Sequence, residues 1–345
     1  MQNSKFIFVL LLTIISTTVF TTIVIAEDSM LKDKPYFTYR IETKNVQYEA
    51  KMNGVTIQDD PNAGMLITEE PVNQYMVSGK NRIALYLYPF SDIGFGNADI
   101  SISLYVNQDE APEDQKRLVG QISFKVSELT GDKEEDMKQQ KGISLSMPTM
   151  RLDSSDDFKR SDNGDVIIHP PKLEPAKTHP DALYIYQDIE LVVPFLRWGF
   201  LDADPIDFPD SFDEFSNHFD HYNKVLLAPL YEVYEKLYEQ LKKGDIDGFL
   251  SHFEERNQEM NAALYFESGH YQNTLRKSIV SNLNNEKRTL KLTEFDYADP
   301  IVSDDKKLIK LGSDGLIYFE DEGNSIYSKY HIWFYQKDGK WYISR

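Results

Sequence analysis

The sequence contains no cysteine among its 345 residues. This absence excludes disulfides, thiolate nucleophiles, cysteine-ligated zinc and iron–sulfur clusters, and it excludes anchoring through a lipid-modified cysteine. Since no covalent cross-link holds the fold, its stability has to come from packed apolar cores. The 21 tyrosines and 20 phenylalanines supply large side chains for such cores, so the composition predicts a folded protein.

Positive charge is also scarce. The chain has 37 lysines and arginines against 56 acidic residues, which gives a net charge of −19. Phosphate groups are bound by clustered basic side chains, so this balance argues against nucleic acid as a partner and against docking on anionic lipid headgroups. It favours a soluble protein, or one whose partner is another protein with a basic surface.

Recognisable catalytic and metal-binding motifs are missing. The chain shows no Ser-His-Asp order, no phosphate-binding loop and no dinucleotide fingerprint. The acidic stretch at 202–220 has histidines beside it, but its spacing matches neither a calcium loop nor the H-E-x-x-H zinc motif. We therefore expect no cofactor, no metal site and no catalytic residue, and we interpret this stretch as a solvated loop.

The N-terminal segment predicts export. Lys5 is followed by a long apolar run, and Val24 and Ala26 have the spacing of a cleavage site after residue 26. We expect residues 1–26 to be a signal peptide and the protein to be periplasmic or secreted, since a cysteine-free exported chain fits a bacterial periplasm. The run exceeds an ordinary signal core, so an uncleaved anchor in the inner membrane is the alternative, and only then is stable membrane insertion expected.

Residues 27–205 are predicted to form an antiparallel β-sandwich. Alternating or β-rich runs occur at 36–49, 83–90, 98–106, 119–126 and 183–196. Asn53-Gly54 lies between two strand-like runs, which is the strongest short signal for a hairpin. A charged, proline-rich insertion interrupts the sandwich at about 128–182.

The turns of this region carry a resemblance. The Asn53-Gly54 hairpin and the later Ser78-Gly79-Lys80-Asn81 segment resemble jelly-roll sandwiches of the galactose-binding-like type, over residues 36 to about 127. The resemblance implies a carbohydrate-binding module, in which Tyr75, Tyr86, Tyr88 and Phe90 stack on sugars. Such aromatic side chains more often belong to the core or to cross-strand pairs than to a sugar site.

Residues 206–345 are predicted to form an α+β domain. Apolar residues recur at helical spacing from Leu226 to Phe266, and Gly244-Asp245 divides this stretch into two helices by capping one end and starting the next. A third amphipathic helix follows at Tyr271 to Leu283. The remaining strand-like runs are separated by turns and predict an antiparallel meander.

This region also resembles a known family. The segment LYEQLKKGDIDGFLSHF and the final hairpin IWFYQKDGKWYIS are similar to the SnoaL-like and ketosteroid-isomerase-like cone domains, over roughly 222–345. The resemblance implies helices packed on a curved antiparallel sheet. Enzymes of that family place aspartate, histidine or tyrosine inside the cone, where a base and an oxyanion donor face one cavity.

Six residues are candidates for contacts with a ligand or partner. Arg197 and Trp198 follow the last strand of the sandwich, where they either join the two domains or form a recognition patch. His252, Arg256 and Glu259 share one helix face with Glu255, which is either a pocket lining or an exterior stripe. Trp333 lies on the second aromatic face of the strand that begins near Tyr330, and we expect this face to be buried against the first domain or a partner.

The sequence is compatible with three functions. We favour an exported, non-catalytic protein-binding protein of the bacterial cell envelope, such as an immunity-type protein that neutralises a secreted effector. The first alternative is a small-molecule-binding protein or isomerase-like enzyme with its site in the C-terminal cone. The second is a carbohydrate-binding module.

Overall fold

The computed structural model describes residues 34–90, 94–108, 116–126, 132, 135, 143–144, 167–176, 181–194, 198–209, 212–312, 315–323 and 326–344. The predicted signal segment and most of the insertion at 128–182 lie outside these residues. The structure is mainly β, with 41% strand and 29% helix, and its helices are concentrated towards the C-terminus. This confirms the prediction of a mainly β chain with an α+β part.

The N-terminal half forms two antiparallel sheets. Its strands are β1 (Pro35–Lys44), β2 (Gln47–Met52), β3 (Val55–Asp60), β4 (Leu66–Pro71), β5 (Gly79–Tyr88), β6 (Asp99–Gln108), β7 (Arg117–Lys125), β8 (Ile143–Ser144), β9 (Ile167–Ile168), β10 (Lys172–Pro175) and β11 (Leu183–Leu191). One sheet has the order β4-β1-β6-β7-β8, and the other β10-β11-β5-β2-β3 with β9 also paired to β11.

Alternation along the strands builds one apolar cluster from both sheets. Ile100, Ile102, Leu104 and Val106 of β6 are all buried, as their spacing predicts. Inward side chains of the second sheet, such as Leu85 of β5, join the same cluster. The opposite faces of the strands are therefore left for solvent or for other parts of the chain.

The β2–β3 hairpin confirms the prediction made from Asn53-Gly54. Both turn residues have positive φ, 51° at Asn53 and 78° at Gly54, which the tight hairpin turn requires. Asn53 also donates its backbone N–H to the carbonyl of Arg82, so the turn is tied to strand β5.

The C-terminal half begins with helices. They are α1 (Phe212–Asn217), α2 (Phe219–Tyr222), α3 (Ala228–Lys242), α4 (Ile246–Ser251), α5 (Glu254–Ala263) and α6 (His270–Leu283), with a π-helical turn at Asn223–Leu227. The acidic stretch at 202–220, which we interpreted as a loop, is therefore partly helical.

The predicted helical hairpin is present, but its second helix is divided. Gly244 has φ 73°, and Asp245 accepts a hydrogen bond from Gly248 N at 2.9 Å, so both caps are as predicted. The division falls at His252 and Phe253, whose N–H groups bond three residues back rather than four.

The C-terminal strands form two sheets rather than one meander. They are β12 (Arg288–Leu292), β13 (Pro300–Val302), β14 (Ile309–Leu311), β15 (Ile317–Asp321), β16 (Ile326–Tyr330), β17 (Phe334–Lys337) and β18 (Lys340–Ile343). One sheet has the order β12-β15-β16 and the other β13-β14-β17-β18. The long strand-like run near 325–338 is broken between them.

Hydrogen bonds accompany the break. The carbonyl of Ile332 accepts from the Tyr234 hydroxyl at 2.9 Å, and the carbonyl of Trp333 accepts from Ser344 N at 2.8 Å. Both carbonyls therefore have hydrogen-bond partners where the chain passes from one sheet to the other.

A second apolar cluster lies between the helices and these sheets. Tyr234, Phe249, Phe319 and Phe334 are almost completely buried in it. Within the described ranges, no helix combines the length and the apolar character needed to cross a membrane.

Candidate functional site

A third cluster joins the N-terminal sheets to the C-terminal half. We call it the junction cluster, and its buried members are Val55, Trp198, Phe200, Ala203, Ala263, Leu308, Trp333 and Tyr335. Two of the six candidate residues, Trp198 at 2% exposure and Trp333 at 5%, lie in it. Trp333, just before β17, and Tyr335 of β17 are both buried in this cluster beside Val55 of the N-terminal sheets.

Trp198 and its neighbour are held by partners from both halves. The indole Nε1 of Trp198 donates to the carbonyl of Met76 at 2.7 Å, and Gly199 N donates to Glu259 Oε1 at 2.6 Å. A Cβ at Gly199 would stand 2.6 Å from Glu255 Oε1 and 2.9 Å from the Tyr335 hydroxyl, so a larger residue would displace the ends of these two side chains. Glu259 is therefore used inside the chain as a hydrogen-bond acceptor.

Polar contacts reinforce the junction. Asn73, which is fully buried, accepts from Phe37 N at 2.6 Å and donates to the carbonyls of Pro35 and Ala263. The tip of the β2–β3 hairpin rests on the loop at Asp304, whose N–H donates to the Gly54 carbonyl at 3.2 Å.

Arg256 lies beside the junction in a setting unusual for a cation. Its guanidinium stacks over the ring of Tyr271 at 4.7 Å and donates to Asn257 Oδ1 at 2.9 Å. Its Nε is buried without a hydrogen-bond partner, and among the described residues no carboxylate forms an ion pair with it. Burial lowers the pKa of Arg256, although Tyr271 and Tyr75 oppose that shift.

The residues that were predicted to share one face of the second helix therefore lie in different surroundings. Arg256 and Glu259 turn towards the junction, whereas His252 lines an open groove on another side of the helix corner. Arg197 lies outside the described residues. The structure thus does not bring the six candidate residues together in one site.

The groove that His252 lines is formed by the corner between α4 and α5, by α3 and by the last β-hairpin. We call it the terminal groove, and its volume is about 440 Å³. Its lining includes the apolar Val233, Phe334, Trp341 and Ile343 and the acidic Glu254 and Glu255. This groove opens to solvent, and Phe334 and Ile343 also belong to the buried C-terminal cluster.

A second surface was not identified from the sequence. The outward side of the sheet β10-β11-β5-β2-β3 carries Tyr86 and Tyr88 from β5 and Tyr184 and Tyr186 from β11. We call it the tyrosine face. Tyr184 is paired with Tyr86 in the register of the two strands, so these rings are cross-strand neighbours.

The rings and cations of the tyrosine face form a continuous ladder. Ring centroids are 4.6 Å apart between Tyr86 and Tyr184, and 5.2 Å apart between Tyr184 and Tyr186. Lys51 lies over the ring of Tyr86 at 4.6 Å, and Arg82 over that of Tyr186 at 3.9 Å. Each cation thus contributes to holding a ring in place.

Ion pairs fix the cations of this face in turn. Lys51 Nζ lies 3.0 Å from Asp304 Oδ1, and Arg82 makes a two-pronged pair with Asp188 at 2.6 and 3.0 Å. Burial alone would raise the pKa of Asp188, but hydrogen bonds from Arg82 and Lys80 outweigh it and the pKa is lowered. The carboxylate therefore stays charged and paired.

The hydroxyls of the tyrosine face stay neutral. Burial, followed by the charge of Asp304, raises the pKa of Tyr184 to about 12 against the opposing effect of Arg82. Burial and the same aspartate also raise the pKa of Tyr86. The face therefore presents neutral phenols, which both donate and accept hydrogen bonds.

The sequence contained a partial signal for this face. Tyr86 and Tyr88 were considered for sugar stacking, and strand parity along 183–188 puts Tyr184, Tyr186 and Asp188 on one side. The missing information was that β11 pairs with β5. Tyr75, by contrast, packs against the N-terminal and junction clusters, away from this face.

Comparison with known proteins adds no assignment: no protein-family model matches the chain, and neither the curated proteins nor the solved structures contain a match. Among the described residues, no group of three or more histidine, aspartate or glutamate side chains is arranged to hold a metal ion.

Proposed function

We propose that this chain is a non-catalytic recognition protein, exported to the bacterial cell envelope, that binds another protein through its tyrosine face. In this proposal the two N-terminal sheets are a β-sandwich and the C-terminal half is a cone-like domain fused to it. An immunity-type protein that neutralises a secreted effector is the specific form that we favour.

The single observation that carries the proposal is the ladder of Tyr86, Tyr184 and Tyr186, with Lys51 and Arg82 over its end rings and Tyr88 on the same side of β5. Tyrosine and arginine are the residues on which protein-binding energy most often concentrates. Their rings here are fixed by neighbours on adjacent strands, so little side-chain entropy is lost when a partner covers them. A surface of this kind supports recognition by contact.

The filling of the C-terminal half supports recognition over isomerase-like chemistry. The cone domains that this half resembles hold their acid, base or hydroxyl in an interior cavity. The corresponding interior here is occupied by Phe249, Phe319 and Phe334, and the Tyr234 hydroxyl is engaged with the Ile332 carbonyl.

Charge supports a basic partner. The net charge of −19 steers a positively charged protein towards this chain over distances up to the Debye length, about 8 Å at physiological salt. Lys51 and Arg82 are paired with Asp304 and Asp188, which limits the positive charge that they add to this face, and Lys172 over Tyr186 is a further cation there.

The test is an affinity purification of the full chain from an envelope extract of its own organism, followed by mass spectrometry. We expect one stoichiometric protein partner. Replacement of Tyr86 or Tyr184 by alanine should then weaken the purified partner's binding at least about tenfold, as for central aromatic contacts in other interfaces.

Tyr297→Ala is the matched control, because this tyrosine is 72% exposed and lies away from the tyrosine face. Circular dichroism should show that all three variants keep their fold. Recovery of no stoichiometric partner, or equal loss of binding in the control, contradicts the proposal. Saturable binding of soluble glycans that requires Tyr86 and Tyr184 would assign the same face to carbohydrate instead.

Export is tested separately. Fractionation of cells that express the full chain should place it outside the cytoplasm, with residues 1–26 removed. Retention of the intact chain in the inner membrane would favour the anchored alternative, and a cytoplasmic location would contradict export.

A further inference from the structure

The terminal groove has the size and the two-sided lining of a small-molecule site. Its volume of about 440 Å³ falls within the range of ligand pockets in other proteins, roughly 300–1,000 Å³. It lies in the C-terminal half and shares no residue with the tyrosine face, so its occupant is a question separate from the protein partner.

One side of the terminal groove is apolar and aromatic. Phe334 of β17 is paired directly with Ile343 of β18, so their side chains stand together on one side of the hairpin. Trp341 follows on the same side, and Val233 of α3 is also in the lining. Phe334 and Ile343 are themselves buried, so the apolar surface open to a ligand is that of Val233 and Trp341, and the indole also attracts a cation.

The other side is acidic. Glu254 and Glu255 occupy the first turn of α5, and both are exposed to solvent at the groove. The hydroxyl of Tyr335 donates to Glu255 Oε1 at 3.1 Å. Burial and the nearby Glu255 raise the pKa of Tyr335, so the phenol stays protonated and holds this carboxylate in position.

The remaining polar lining adds no positive charge at neutral pH. Burial, with a smaller effect of Lys236, lowers the pKa of His252, so the imidazole is neutral there. The lining residues in the described part of the chain include two carboxylates but neither lysine nor arginine. The lining therefore carries net negative charge, and Lys236 of α3, outside the lining, is a nearby cation that acts on His252.

We infer that the terminal groove binds an organic cation: an alkylammonium or guanidinium group carried on an aliphatic chain. The aliphatic chain lies on Val233 and on the indole of Trp341, which keep exposed surface at the groove, and the cationic head reaches the carboxylates of Glu254 and Glu255. The same chemistry is offered by a free amine and by a lysine or arginine side chain of another protein.

The test uses three probes of equal length that differ only in the head group: hexylamine, 1-hexanol and hexanoate. Binding to the full chain is measured by isothermal titration calorimetry and by chemical shifts of the tryptophan indole protons. We expect hexylamine to bind at least about fivefold more tightly than hexanol, because it adds carboxylate and cation–π contacts. Hexanoate should bind more weakly than hexanol.

Variants locate the site. Glu254→Gln should weaken hexylamine binding about two- to fivefold, the range of an exposed ion pair, and leave hexanol unchanged. Tyr335→Phe keeps the ring but loses the bond to Glu255, so we expect a smaller loss for hexylamine alone. Glu232→Gln, an exposed carboxylate of α3 outside the groove, is the matched control and should change nothing.

Equal affinities for hexylamine and hexanol would overturn the inference, and so would binding that is insensitive to Glu254→Gln or no saturable binding at all. A last comparison distinguishes the source of the ligand. Tighter binding of N-acetyl-lysine methylamide than of hexylamine assigns the groove to a protein side chain, and the reverse order assigns it to a free amine. Either order upholds a cation site.

Discussion

Asn73 offers the sharpest test of how the two halves are joined. Its buried amide accepts from Phe37 N and donates to the carbonyls of Pro35 and Ala263, at 2.6, 3.2 and 2.7 Å. Replacement by alanine leaves the Phe37 N–H unsatisfied in the core, which costs about 1–3 kcal/mol. Each carbonyl loses a neutral bond of about 1 kcal/mol, so we expect unfolding free energy to fall by about 3–5 kcal/mol in total.

The assay is urea unfolding followed by two signals. Of the three tryptophans in the chain, Trp198 and Trp333 lie in the junction cluster, so their fluorescence reports on this region, whereas far-ultraviolet circular dichroism follows the strands throughout. Asn73→Ala should shift both transitions to lower urea, and the fluorescence transition furthest. The exposed Asn62 provides the control, because Asn62→Ala should change stability by less than about 0.5 kcal/mol. A loss below about 1 kcal/mol for Asn73→Ala would refute the reasoning.

Three further substitutions test separate features. Gly199→Ala places a Cβ 2.6 Å from Glu255 Oε1, so we expect this carboxylate to turn away and its bond from the Tyr335 hydroxyl to break, with a loss of about 1 kcal/mol and a slightly lower midpoint of thermal unfolding; an unchanged midpoint would contradict the contribution of that bond. Arg256→Met removes a buried cation that has no described carboxylate partner, so chemical denaturation should show equal or higher stability. A large loss of stability would instead indicate that a counter-ion pairs with Arg256. The folded-state pKa of His252 lies below its ordinary value of 6.5, so the unfolded chain binds the proton more readily and stability should fall as pH drops below about 6.5. His252→Asn should remove that part of the slope between pH 7.5 and 5.5, and an identical slope in the variant would contradict the burial of this ring.

The features that the sequence predicted correctly are those that depend on the local sequence pattern. The buried face of β6 follows from alternation at Ile100 to Val106, and the β2–β3 turn follows from the tolerance of Asn53 and Gly54 for positive φ. The end of α3 follows in the same way from Gly244 and Asp245. In each case, the residues that determine the structure are within a few positions of one another.

The features that were missed depend on contacts between distant residues. Asn73 and Ala263 are 190 positions apart, and Tyr86 and Tyr184 become neighbours only because β5 pairs with β11. No periodicity in one segment encodes the choice of a partner segment. The tyrosine face and the junction cluster could therefore be identified only from the three-dimensional structure.

The broken strand near Trp333 shows a mixed outcome. Parity correctly separated Tyr330 and Phe334, which join the C-terminal cluster, from Trp333 and Tyr335, which join the junction cluster. It did not reveal that the chain changes sheets at that point. There the carbonyl of Ile332 accepts from the hydroxyl of Tyr234, which lies on helix α3. The spacing of hydrophobic residues along the sequence does not indicate side-chain hydrogen bonds of this kind.

The β2–β3 turn also bears on the chemical ageing of the protein. Asn-Gly pairs deamidate readily, because the glycine nitrogen attacks the asparagine side-chain carbonyl to form a succinimide. Here the Asn53 amide nitrogen donates to Tyr75 O at 2.6 Å and Asn81 Oδ1 at 2.9 Å, and its oxygen accepts from Arg82 N at 2.7 Å. The folded chain thus keeps the side chain out of the attacking geometry, and conversion to aspartate is confined to molecules in which this hairpin has opened.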